Sequence, residues 1–273
     1  MLTATLLALG AAVLHAGWNL AVKQSGDRFI SLWGQFFVAG ALCSILLVAV
    51  GGLPSAGWKW AALSGFVHLP YCWFLARAYD HGDFSLVYPV ARGGGALLAA
   101  IGGLVLLDDH LSPLGIAAIV VVALGLFMLA GRARGPELVS ALMVAATIGV
   151  YSVSDAKGIR ASNGAYVFAS FIGTMTSTTV FGLVTGRGPR MVESMRINWR
   201  RFSAIGVAAT VTYGMVQLAF QRAPVGYVTA LRESSVVLAA FAGTQMLHEP
   251  AGAKRITASL VVLSGLVLLV VAR

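Results

Sequence analysis

The chain alternates between long apolar runs and short polar breaks. A bilayer-spanning helix needs about 20 largely apolar residues. Ten segments meet that length: 2–22, 29–50, 57–78, 84–106, 113–130, 136–156, 164–184, 202–221, 224–246 and 254–272. Backbone polar groups cannot stay unpaired in lipid, so runs of this length are expected to be helices. The connections are short. The longest, 187–201, reads as a loop and holds Arg187, Arg190, Arg196, Arg200 and Arg201. No polar stretch is long enough for a soluble domain. The first run has no basic residue ahead of it and continues through His15, Trp18 and Asn19 to Lys23. It reads as the first spanning helix rather than a signal peptide.

Composition agrees with that pattern. Hydrophobic residues make up 58% of the 273 and charged residues 11%, against roughly 25% charged in a soluble protein. The expected class is an all-α integral membrane protein. The net charge of +9 is read as basic loops held at a cytoplasmic membrane face, not as a nucleic-acid surface. Cys43 and Cys72 lie in apolar stretches without metal-type or disulfide-type spacing; they read as reduced and packed. No cofactor is expected.

The pattern occurs twice. A shift of 141 residues lays Tyr79–Asp108 over Phe220–Glu249 without a gap, with Val87 on Val228, Gly102 on Gly243 and Arg92 on Glu233. The fifth and tenth segments repeat with a shift of 140, which puts Gly125 on Gly265 and Leu126 on Leu266. The expected organisation is two five-helix repeats, 1–131 and 136–273. Five is odd, so the second repeat enters the membrane from the opposite side. The result is a ten-helix inverted repeat, an architecture whose binding site lies near the midplane between the halves. Loop arginines and lysines are more numerous on the side of Arg28, Arg132, Arg134 and 187–201, which places both termini outside. Small residues at four-residue spacing, Gly95–Ala99–Gly103 and Ser235–Ala239–Gly243, read as helix-packing seams.

Several polar residues fall inside the apolar runs. His15, Trp18 and Asn19 share one face of the first helix at i, i+3 and i+4, as interhelical hydrogen-bonding groups or as a cavity lining. His68 and Tyr71 do the same in the third, where Pro70 suggests a kink. In the fourth, Tyr88 and Arg92 lie one turn apart. Arg92 is about 12 Å into the helix at 1.5 Å per residue. It either snorkels to the interface or faces inward, where its planar fork can hold a carboxylate or phosphonate. Tyr151 and Asp155 in the sixth helix read as an inward pair or as a helix-end acid at the water interface. Tyr213 and Gln217 share a face of the eighth. In the ninth, Glu233 is expected to pair with Arg92 across the pseudo-symmetry axis, as a structural link or as a proton carrier; Arg232 sits beside it, about 100° round the helix.

With these pieces in view, the chain resembles the EamA branch of the drug/metabolite transporter superfamily. The resemblance spans nearly the whole sequence. It is carried by HAGWN (15–19), by ARAYDHGDFSLVYPVARG (76–93), and by LAFQRAPVGYVTALRES (218–234) with HEP (248–250). It implies a bacterial inner-membrane carrier with a central cavity, and several members export amino acids or other metabolites. The related small multidrug proteins use a glutamate in their first helix. This chain offers His15 and Asn19 there and no acid, which departs from cationic-drug antiport by that route.

The function expected is secondary transport, in the export direction, of small organic anions or zwitterions such as amino acids, by alternating access. Arg92, Tyr88, Trp18, Asn19, His15, Tyr71, Tyr213 and Glu233 are the expected substrate-binding residues, and Glu233 and Asp155 are the proton-coupling candidates. Expected partners are the metabolite, the lipid bilayer, a coupling proton and a second copy of the chain. No P-loop points to ATP. The five histidines have no metal-ligand spacing and there is no HExxH, so an enzyme is not expected. A structural or partner-binding membrane subunit is the alternative, and a cationic multidrug exporter a further one.

Overall fold

A computed structural model describes residues 2–130, 135–235 and 253–272. Among them it is all-helical. The helices are α1 (Leu2–Lys23), α2 (Arg28–Ala49), α3 (Ser55–His81), α4 (Phe84–Leu106), α5 (Pro113–Ala130), α6 (Pro136–Ala161), α7 (Tyr166–Val184), α8 (Gly188–Phe220), α9 (Val225–Arg232) and α10 (Ala253–Val271). Five of them, α1, α2, α6, α7 and α8, are long and apolar enough to cross a membrane. The others are shorter or more polar over their described residues. In α3 the polar residues turn inward, with His68, Tyr71 and Tyr79 all buried, so its lower hydropathy reflects what it presents to the bundle. Helix α3 also runs on through Pro70. The outer faces are apolar, as Val48, Phe66, Val105, Val150 and Val184 show.

Two elements differ from the sequence reading. The expected 187–201 loop is helical from Gly188 and merges with the spanning part of α8 at Asn198, whose φ of −108° and ψ of 15° break the helix. Pro189 opens this segment. Met191 is buried against Gly182, while Arg190, Arg196, Arg200 and Trp199 stay exposed. The run of arginines hid an amphipathic turn spacing. The ninth segment was expected to be one helix over 224–246. Helix α9 ends at Arg232 with Glu233 as its cap, and 236–246 lie outside the described residues, as do Ala239, Gly243 and the HEP stretch.

The packing is reciprocal, as in a pseudo-symmetric bundle. Helix α3 packs on α6 and α7, and α8 packs on α1 and α2. Helix α4 meets α6, and α9 meets α1; α2 meets α7, and α5 meets α10. The last contact is reciprocal atom by atom. A methyl on Gly125 would lie 2.9 Å from Val262 Cγ2 and 3.1 Å from the Ala258 carbonyl, and one on Gly265 would lie 2.8 Å from Val122 Cγ2 and 3.1 Å from the Ala118 carbonyl. Helix ends are closed in the same paired way. Lys23 Nζ donates to the carbonyls of Tyr79 and Gly82 at 2.7 and 2.8 Å. Arg160 donates to those of Phe220 and Ala223 at 2.8 and 3.1 Å, the positions 141 residues on. Each cation fills the orphan carbonyls of a helix C-terminus, where the helix dipole favours positive charge. Arg160 also reaches Asp109 at 2.7 Å, whose other oxygen accepts the N–H of Val225 at the start of α9.

Candidate functional site

Helices α4 and α9 meet in the interior. Arg92 Nη2 donates to Glu233 Oε1 at 3.0 Å, and both side chains are buried. The pair links the two positions that the 141-residue shift superposes. Arg92 therefore faces inward and does not snorkel. One turn earlier on α4, the Tyr88 hydroxyl lies 3.0 Å from that of Ser235. Among the described residues, Arg92 Nε and Nη1 and Glu233 Oε2 have no hydrogen-bond partner.

Arg232 is the residue that the sequence reading left out of the site. It is 1% exposed. None of its three guanidinium nitrogens has a hydrogen-bond partner among the described residues. Its guanidinium carbon lies 5.6 Å from the ring centroid of Tyr213. Burying an unpaired charge is among the costliest arrangements a protein can hold. The available signal was its place next to Glu233; sequence gives no means of telling which of the two takes Arg92 and which is left alone.

A cavity lies between α1, α2, α3, α6, α7 and α8. His15 and Trp18 line it from α1, Phe36 from α2, His68 and Tyr71 from α3, Tyr151 from α6, Phe171 and Thr174 from α7, and Tyr213 from α8. The rings pack closely: His68 stacks on Tyr151 at 4.3 Å between centroids, and Tyr71 meets Tyr151 edge-on at 5.6 Å. Its volume is about 30 Å³, room for about two waters at roughly 10–15 Å³ each. A metabolite enters only if these rings part. His15 Nε2 and Trp18 Nε1 are buried without a partner among the described residues.

Of the expected binding residues, His15, Trp18, Tyr71 and Tyr213 line this cavity. Arg92, Tyr88 and Glu233 form the adjoining cluster. Asn19 is not in the lining; its amide donates to the His15 carbonyl and accepts from Tyr79, both at 2.9 Å, tying α1 to α3. Asp155 is wholly buried, not at the water interface. One of its oxygens accepts from Tyr166 at 2.9 Å, and the other accepts from Tyr213. Cys43 and Cys72 are free and buried. No metal-type cluster of His, Cys, Asp or Glu occurs among the described residues.

A larger, polar pocket of about 540 Å³ opens near the ends of α2 and α3, lined by Arg28, Arg77, Arg187 and Arg190 with Asp27 and Asp80. Phe29 and Trp73 are in its wall, and Arg187 lies over both rings at 5.0 and 5.1 Å. Two turns along α2 from Phe29, Phe36 lines the aromatic cavity, so the two spaces share helices α2 and α3.

The chain matches a solved structure described as "Crystal structure of protein" with a TM-score of 0.76 at 19% identity, over 99% of this chain and 98% of that one. At that identity the likeness is one of fold. No family model matches the chain, and no curated protein matches it. Fold and composition together are those of a multi-pass helical membrane protein.

Proposed function

We propose that this protein is a secondary transporter of small organic anions or zwitterions, amino acids among them, of the EamA type, and not an enzyme. It would sit in a bacterial inner membrane as two inverted repeats, 1–131 and 136–273. The carrying observation is the buried charge cluster Arg92–Glu233–Arg232 between the two repeats, beside an aromatic cavity. Ionisable residues inside a membrane bundle are expensive and are retained where something polar passes. Reciprocal packing supports the repeat. The pocket of four arginines and two aspartates, with Arg28 paired to Asp80, keeps a net positive charge that favours an entering anion. Ring walls and a small volume in the cavity suit a site that widens during an alternating-access cycle. Glu233 and Asp155 are the carboxyls available to a coupling proton.

Uptake into liposomes tests this. Purified protein should move at least one labelled amino acid or organic acid above protein-free vesicles. Arg92→Ala should abolish movement while the purified variant remains folded, with Arg92→Ala/Glu233→Ala as the companion that leaves no lone carboxyl. Failure to move any compound across a panel of acids, zwitterions and cations refutes the proposal.

A further inference from the structure

We propose that Arg232, rather than Arg92, receives the anionic group of the transported molecule, and that this group is a carboxylate. The inference rests on the carrier reading. It starts from how the buried charges are distributed. Glu233, the next residue in the chain, gives Oε1 to Arg92. Asp155 has both oxygens engaged by the phenols of Tyr166 and Tyr213. Glu233 Oε2 stays unbonded among the described residues, so neither carboxyl hydrogen-bonds Arg232. Arg232 keeps a full charge at 1% exposure with no acceptor for Nε, Nη1 or Nη2 among the described residues.

A guanidinium cannot shed its proton to escape that position. Its planar fork matches a two-oxygen acceptor in geometry as well as charge. Its location fits a ligand role. Arg232 lies against the ring of Tyr213, and Tyr213 is a wall of the aromatic cavity. On α1, across that cavity, Trp18 Nε1 and His15 Nε2 also lack partners, and His15 lies in the field of both arginines. A carboxylate on Arg232 would compensate the lone charge and give the indole N–H an acceptor. The remainder of the molecule would lie among the rings. Arg92, already held by Glu233, acts as the link between the halves.

The test uses the full chain in detergent and reads thermal stability with lactate, benzoate or alanine and with the matched amides lactamide, benzamide and alaninamide. A ligand that binds only the folded state raises its melting temperature. At least one acid should raise it where its amide does not. Arg232→Gln should weaken that acid by about tenfold or more, as expected on losing a charge-assisted bidentate contact. The same variant should melt no lower than wild type without ligand, because a buried guanidinium with no hydrogen-bond acceptor among the described residues has gone, whereas Arg92→Gln should melt lower. An acid shift that survives Arg232→Gln, or a ligand-free loss as large as that of Arg92→Gln, overturns the assignment. Wild-type protein that binds cations or amides in place of acids overturns it and leaves the carrier reading standing. Wild type that binds none of these and moves nothing in liposomes overturns both.

Discussion

Replacing Glu233 by glutamine should be one of the most damaging single-atom changes available in this bundle. The carboxylate lies 3.0 Å from Arg92 Nη2, with side-chain exposures of 0% and 4%. At that separation two unit charges attract by about 5 kcal/mol for an effective dielectric near 20. Breaking a buried pair by removing one partner costs about 3–5 kcal/mol, because the other charge is left without compensation. A domain of this size shifts its melting point by roughly 2–4 °C per kcal/mol, so Glu233→Gln should lower it by roughly 6–20 °C. Arg92→Met/Glu233→Met should recover most of the loss, since apolar replacement of a whole buried pair is often neutral or stabilising. Thermal unfolding of wild type, Arg92→Met, Glu233→Met and the double variant in one detergent gives the coupling energy directly. A Glu233→Gln loss below about 1 kcal/mol, or a double variant as unstable as the two single losses summed, would refute the reasoning.

Three other outcomes follow from the packing. Lys23→Met and Arg160→Met each strip two carbonyl contacts from a helix C-terminus and should cost about 1.5–3 kcal/mol in thermal unfolding. Gly125→Ala and Gly265→Ala should destabilise by similar amounts, about 1–3 kcal/mol, since each new methyl meets the same valine and carbonyl on the facing helix; unequal losses would mean the α5–α10 seam is less symmetric than its contacts. Tyr213→Phe keeps the ring beneath Arg232 but removes a donor from Asp155, and should cost about 1–3 kcal/mol, whereas Tyr213→Leu also forfeits the ring–cation contact and should unfold at a lower temperature still.

Much of the fold was legible because lipid imposes length. The apolar runs at 2–22, 29–50, 84–106 and 113–130 became α1, α2, α4 and α5 with ends shifted by no more than a residue or so. The Arg92–Glu233 contact was legible for a different reason: the 141-residue shift lays the two positions over each other. Gly188–Asn198 was misread because charge density outweighed the spacing of Met191 and Met195, and an interfacial helix needs only one apolar face. Asn19 looked like a lining residue, yet its amide serves Tyr79, and which neighbour a polar group meets is decided by helix rotation. That Lys23 and Arg160 close the ends of other helices is visible only once those helices are packed. Arg232 was passed over because its significance is what it lacks, and a missing partner is visible only once the neighbouring side chains are in place.

The place of the Arg92–Glu233 link has a mechanical consequence. In a carrier whose two repeats trade conformations between its outward- and inward-facing states, the distance from residue i of one half to residue j of the other becomes the distance between their exchanged counterparts. For most cross-bundle contacts these are two different pairs, so one shortens while the other lengthens. Under the proposed repeat, positions 92 and 233 are each other's counterparts, and exchange would return the same distance. The link can keep one length in both end states while the rings of α3 and α8 rearrange around it. It would then be a pivot that the cycle turns about rather than a latch that the cycle must break.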